Sequence, residues 1–347
     1  MKSNKISISA ELQAAVESIK PDRKFVLTDT TTLRLCWPEI AEEPCLKEST
    51  MITIEPTDEA KTLTSLAYVW EALCKGGATR ASLLVCLGGG MVTDLGGFAA
   101  ATFKRGIAHI NIPTTLLAMV DASEGGKTGI NFMGLKNEIG SFYSPRAVLL
   151  DTHFLRTLDH QNLLSGFAEM LKHSLLSSDA ELARHLQFDF NNVDYALLAN
   201  MVKSSVAVKR NIVQQDPHEH GIRRALNLGH TIGHALESLA LQQNRPVLHG
   251  YAVAWGLVAE LYLSARQCGF PTDRLHQVAA FVRQEYGCAE FTCRNYGTLL
   301  AFMRHDKKNT DQRINFTLLS RPGDVQTDHH ATDEEICEAL DFLREGA

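Results

Sequence analysis

Ser82-Leu83-Leu84-Val85-Cys86-Leu87-Gly88-Gly89-Gly90-Met91-Val92-Thr93-Asp94 is an apolar run, then three glycines, then a helical pattern. A short run with no polar alternation reads as a strand buried on both faces, which is what a parallel sheet requires. The glycines let the backbone come close to a ligand, and the amides opening the next helix suit a pyrophosphate. The turn lacks the GxGxxG spacing, so a tight strand–helix connection explains it as well as a nucleotide site does. Asp94 reads as a candidate helix cap. Outward from this stretch, Lys24–Thr28, Ile110–Ile112 and Ala147–Leu150 are further strand-type runs. Leu63–Lys75 carries Leu66, Val69, Trp70 and Leu73 on one helical face. Strand, helix, strand in this order predicts a parallel sheet covered by helices. Thr114-Thr115 follows Pro113 at a strand end, where open α/β sheets take ligands.

Beyond Asp151 the texture changes. Residues 162–177, 194–215, 224–242, 251–268, 273–286 and 334–344 have helical period, and only 314–319 reads as a short edge strand. A chain of 347 residues is generous for one domain. The expectation is an α/β nucleotide-binding domain with a Rossmann-like parallel sheet over 1–158, followed by a mainly α-helical domain over 159–347 that binds metal and substrate. A formal charge of −6 argues against a nucleic-acid partner, so an anionic small-molecule substrate must be met by local cations. Eight cysteines without a CxxC pair read as free thiols, excluding a disulfide framework or a thiolate zinc site. The N-terminus lacks a signal-peptide core, and no apolar stretch approaches the ~20 residues of a membrane span. A cytoplasmic protein without a membrane partner is expected.

Three groups of residues carry candidate chemistry. Asp121, Gly125-Gly126-Lys127 and Lys136-Asn137 fall in what reads as a loop after a strand, and glycine-flanked lysines suit a carboxylate or phosphate. Most lysines are merely solvated, so position rather than type recommends these. Glu169 and Lys172 are three apart on one helical face, where a surface ion pair is the plain reading. On a helix predicted over 223–237, Arg223, Asn227, His230 and His234 form one polar stripe. HxxxH sets two imidazoles one turn apart, a natural metal clamp, and His249 is a third histidine nearby. His218, His220, His329 and His330 sit in polar stretches and read as solvated.

Together these residues resemble a known family. Gly88–Phe98, Ile112–Ala118, Gly125–Asn131, Asn227–His234, Leu248-His249-Gly250 and Asp306-Lys307-Lys308 look like motifs of the 3-dehydroquinate synthases, members of the sugar-phosphate cyclases, in family order. The resemblance implies zinc or cobalt held by Glu169, His230 and His249, with His234 turned to the substrate phosphate instead. It implies NAD at Asp29, Asp58, Lys61, Gly89, Gly90, Asp94, Thr114, Thr115 and the Phe154–Thr157 run. Asp121, Lys127 and Lys136 are implied for cofactor and substrate alike. Asn137, Lys172, Lys209, Arg223, Asn227, His234 and Lys307 (or Lys308) are implied for substrate. Arg105 matches an arginine that reaches the neighbouring subunit, implying a homodimer. The implied reaction is a transient NAD oxidation, phosphate elimination, re-reduction and aldol closure of a seven-carbon keto-acid sugar phosphate. Thr93, Glu124, Asp58 and Thr31 depart from the commoner family residues.

Overall fold

The computed structural model describes residues 8–133, 135–305 and 314–345. Lys307 lies outside them. The chain divides into two compact units, Met1–Asp159 and His160–Ala347.

In the first unit, strands β1 (Lys24–Asp29), β2 (Thr50–Ile54), β3 (Leu83–Gly88), β4 (Ala108–Pro113) and β7 (Ala147–Val148) form one parallel sheet in the order β2-β1-β3-β4-β7. Every residue of β3 is buried, as its unbroken apolar run predicts. The chain continues from β1 to one side and from β3 to the other. Their shared border is therefore a topological switch point, with Asp29 and Gly88 at its carboxyl ends. The helix Gly90–Thr102 lies close on this sheet because it carries Gly96: a Cβ there would fall 2.4 Å from the Cys86 Sγ.

In sequence between β4 and β7 comes a separate antiparallel hairpin, β5 (Lys127–Phe132) with β6 (Leu135–Phe142). This corrects the expectation of a loop there. Gly129 faces Gly140, and a Cβ on Gly140 would stand 2.1 Å from the Thr128 carbonyl oxygen. The glycines that suggested a loop instead permit a tight strand pair. The short β2 also escaped the sequence reading, and the run expected over 147–150 pairs through two residues only.

The second unit is mainly helical, as expected. Its longer helices include His160–Leu175, Tyr195–Gln215, His230–Gln242, His249–Cys268, Thr272–Tyr286 and Asp333–Glu345. The expected edge strand is one arm of a hairpin, β8 (Asn315–Arg321) with β9 (Asp324–His330), so His329 and His330 are strand residues. The helix predicted from 223 is also corrected. Ile222–Asn227 is a 3-10 turn, and Gly229 at φ 78° breaks the chain before the helix begins at His230. Among the described residues no helix is long and apolar enough to cross a membrane.

Candidate functional site

In the first unit, polar groups gather around the strand ends. Gly89 caps the helix Gly90–Thr102, and a Cβ on it would meet Thr115 Cγ2 at 3.1 Å. Gly90 likewise has Ala122 Cβ 3.1 Å from its missing side chain. These positions leave backbone amides bare at a helix N-terminus, the arrangement that suits a pyrophosphate. Thr114 is buried and donates its amide to the Gly88 carbonyl at 3.0 Å, tying the two strand ends together. Thr115 Oγ1 accepts from the Ala118 amide at 3.2 Å and opens a π-turn, Ala118–Ala122, that carries Asp121.

Asp94 does not cap its helix; Gly89 does. The Asp94 carboxylate pairs at 2.5 Å with Lys61, a lysine only 2% exposed, which also donates to the Asn137 side-chain oxygen. Burial pushes the Asp94 carboxyl up, and Lys61 pulls it part of the way back. The hairpin is laced to this cluster. Asn131 donates to the Asp58 carbonyl at 2.9 Å, accepts from the Asn137 amide at 2.9 Å, and Lys136 stands 3.6 Å from Asp58. Asn137 reaches this place with φ 50°, a left-handed conformation that asparagine tolerates. Asp29 has a structural duty as well: its Oδ1 accepts from the Thr31 and Thr32 amides, both at 2.8 Å, capping the helix after β1. Phe154 is buried, and Thr157 donates to its carbonyl at 3.0 Å. Lys127 and Arg105 are exposed.

The second unit holds a buried acid–histidine cluster. Glu169 sits on the helix His160–Leu175, His230 opens the helix His230–Gln242, and His249 opens the helix His249–Cys268. These three helices interlock through glycine: a Cβ on Gly250 would lie 1.9 Å from the Ser165 carbonyl oxygen, and one on Gly256 2.0 Å from that of Gly229. Glu260 fastens the junction. Its fully buried carboxylate accepts from the amides of Gly229 (2.6 Å) and Ile232 (3.0 Å), capping the His230 helix where a glycine supplies no side chain.

Glu169 and Lys172 are not a surface pair. Their side chains are 0% and 1% exposed, and the Lys172 ammonium contacts Glu169 Oε2. Glu169 Oε1 lies 3.3 Å from His230 Nε2 and 3.4 Å from His249 Nε2. Neither Glu169 oxygen makes a hydrogen bond of regular geometry among the described residues. Ligand atoms about 2.0–2.2 Å from a tetrahedral zinc stand roughly 3.4 Å from one another, so this spacing and donor set fit a divalent metal. Burial alone would raise the Glu169 carboxyl, but Lys172 and His230 hold it well below the usual range. Burial and the Lys172 charge push His230 down to about 3, whereas the Glu169 and Glu237 carboxylates overcome burial and lift His249 to about 10. One ligand atom each of His230, His234 and His249 also falls within 4.8 Å of the others, so the HxxxH pair stays at the centre of the cluster.

The remaining expected residues lie on ordered supports. Lys209 is buried on the helix Tyr195–Gln215, which is tied to the Glu169 helix by a 2.7 Å contact between His173 and Ser205. Asp216 accepts from the amides of His220 (3.0 Å), Gly221 (2.7 Å) and Arg223 (3.1 Å) and so shapes the turn carrying the buried Arg223. Asn227 Nδ2 donates to Glu219 at 3.3 Å. Sequence reasoning missed Glu237 and Glu260. Glu237 was findable, being seven residues after His230 and so on its face. Glu260 interrupts the apolar run Leu257-Val258-Ala259-Glu260-Leu261, a charge that demands a partner.

A parallel nucleotide-type sheet followed by a helical unit with such a cluster is the architecture of the sugar-phosphate cyclases. The 2-epi-5-epi-valiolone synthase of Streptomyces hygroscopicus, solved with NAD+ and Zn2+ bound, superposes with a TM-score of 0.80 at 27% identity, over 92% of this chain and 90% of its own. Residues 51–165 match the 3-dehydroquinate synthase N-terminal family and residues 166–309 the C-terminal one. The 3-dehydroquinate synthase of Parabacteroides distasonis is 54% identical over 97% of this chain and 96% of its own. That of Pyrococcus furiosus is 42% identical over 76% and 77%. The chain belongs to the 3-dehydroquinate synthase family.

Proposed function

We propose that this chain is a cytoplasmic, phosphate-eliminating carbon–oxygen lyase that converts 3-deoxy-D-arabino-heptulosonate 7-phosphate to 3-dehydroquinate and phosphate, dependent on NAD and one divalent metal. The observation that carries the reading is the Glu169 cluster: a fully buried carboxylate ringed by two imidazole nitrogens and a lysine. Glu169, His230 and His249 would hold the metal. Gly89, Gly90, Thr114, Thr115, Asp29, Asp58, Lys61, Asp94, Phe154 and Thr157 would hold NAD, on the bare amides and strand-end polar groups described above. When bound, NAD supplies a reversible hydride acceptor and the metal a Lewis acid for the substrate's hydroxyl oxygens.

The chain's own residues then bind and orient. Among the first unit's residues, Lys127, Lys136 and Asn137 are assigned to phosphate and Asp121 to both ligands. Among the second unit's, Arg223, Asn227 and His234 are assigned to phosphate, and Lys209, with Lys307, to the carboxylate. Lys172 keeps Glu169 ionised. The fixed cations stabilise the charge that develops as phosphate departs. Arg105, exposed on its turn, is assigned across a homodimer to the neighbouring subunit's substrate.

The carboxylate distinguishes this substrate from that of a sister cyclase acting on sedoheptulose 7-phosphate. A charge-assisted hydrogen bond is worth roughly 1.5–3 kcal/mol, about one to two decades in affinity. Lys209→Met should therefore weaken use of heptulosonate phosphate 10- to 100-fold or so and leave any turnover of sedoheptulose 7-phosphate little changed. Phosphate release from the two substrates, measured side by side, tests this. A wild-type preference for sedoheptulose 7-phosphate overturns it.

A further inference from the structure

The two histidines facing Glu169 each engage their other ring nitrogen. His230 Nδ1 meets the Leu228 carbonyl oxygen at 3.1 Å, a backbone acceptor that fixes Nδ1 as the donor. His249 Nδ1 meets Glu237 Oε2 at 3.3 Å. Glu237 stands on the helix that begins at His230, two turns further along, and its side chain is only 12% exposed. His249 belongs to the next helix, reached through residues 243–248. One helix thus supplies both a histidine of the cluster and the carboxylate that grips the histidine of its neighbour.

We propose that Glu237 is a positioning residue for the metal site. It accepts the Nδ1 hydrogen of His249, fixes the ring's rotation, and so aims Nε2 toward Glu169, where a metal would displace the Nε2 proton and take its lone pair. A free imidazole divides its proton between two nitrogens and turns about its own bonds; a carboxylate at Nδ1 removes both freedoms and raises the basicity of Nε2. The contact matters more for His249 than the Leu228 carbonyl does for His230. His249 is 28% exposed on its side chain against 11% for His230, so packing restrains it less. Glu237 touches neither substrate nor cofactor in this reading, and it acts only through His249.

The inference rests on the metal assignment made above, and its test separates the two. Wild type, Glu237→Ala, Glu237→Gln and His249→Ala are stripped with a chelator. Each is then titrated with Zn2+ against a chromogenic competitor and, separately, with Co2+ while the visible spectrum is recorded. Loss of such an outer partner typically costs 10- to 100-fold in metal affinity, and Glu237→Ala should weaken Zn2+ by about that factor. Its Co2+ bands should change in position and intensity as the His249 ring is released. Glu237→Gln keeps an oxygen that accepts the Nδ1 hydrogen, so it should recover most of the affinity and the wild-type bands. The melting midpoint of the metal-free protein is recorded for wild type and both Glu237 variants, to set loss of packing apart from loss of metal. Wild-type affinity and spectrum in Glu237→Ala would overturn the proposal. So would equal metal loss in the Ala and Gln variants accompanied by a lowered metal-free midpoint, which marks a role in helix packing alone. Failure of wild type to bind metal, or full binding by His249→Ala, overturns the metal site itself and this inference with it.

Discussion

Lys172 carries a charge that the interior would reject without Glu169 beside it. Breaking a buried pair by removing one partner costs about 3–5 kcal/mol, because the other charge is left uncompensated. Lys172→Met should destabilise the metal-free protein by about that much, and added Zn2+ should restore part of it by giving Glu169 a new cation. Denaturant titration with and without metal checks both halves; equal stability of variant and wild type would contradict the burial argument. The sequence placed Glu169 and Lys172 on one face but could not reveal their depth, since i,i+3 spacing is the same on a surface. A second buried group makes a pH prediction. His109 in β4 is 1% exposed, stacks on Tyr143 with ring centroids 5.4 Å apart, and has no hydrogen bond to either nitrogen among the described residues. Burial, with a contribution from Arg146, lowers it to about 4. The unfolded chain therefore takes up this proton first. The stability is whole above roughly pH 6.5 and falls on the way down to about pH 4, by at most ~1.4 kcal/mol per pH unit from this one group. His109→Leu should flatten that slope by one proton's worth between those values in unfolding free energies measured across the range. An unchanged slope would contradict the assignment.

The elements that carry the cluster are held by what their glycines lack. Gly256 sits where any Cβ would lie 2.0 Å from the Gly229 carbonyl oxygen and 2.7 Å from the Gly233 amide nitrogen, so the helices bearing His230 and His249 meet backbone to backbone. Overpacking commonly costs 1–3 kcal/mol, and a clash with rigid backbone belongs at or above about 3. Gly256→Ala should lower stability by that amount and weaken metal binding in the fraction that folds. Calorimetry and metal analysis read the two effects, and a variant matching wild type in both would show that the junction is slack. Most of these helices were legible, because apolar residues three and four apart mark a buried face whatever packs against it. The start of the His230 helix was not. Arg223, Asn227, His230 and His234 keep helical spacing, but the first two lie on a 3-10 turn, and the chain breaks at Leu228 and the left-handed Gly229 before the helix begins. The β5–β6 hairpin was hidden for the opposite reason: Gly129 and Gly140 look like loop residues until their strands are seen to lie against each other.

For the molecule as a whole, an acidic chain with local buried cations suits one small, doubly anionic substrate. A parallel sheet, the glycine turn and the histidine pair could be read from spacing alone; the strand order and the short β2 could not. The proposal of Glu169 rather than His234 as a metal ligand came from family resemblance, because one-dimensional spacing favours the HxxxH pair. Tight strand–helix turns and solvated lysines look alike in one dimension, so the nucleotide and anion roles stayed underdetermined there. In the proposed function NAD works as a recycled catalyst for phosphate elimination. Purified, metal-loaded protein is given heptulosonate phosphate in large excess over a trace of NAD, and phosphate and absorbance at the NADH band are followed together. The account predicts many phosphates released per NAD, no steady-state rise in NADH, and loss of activity on chelation. One NADH accumulating per product, or phosphate release that ignores NAD and chelator, would contradict it.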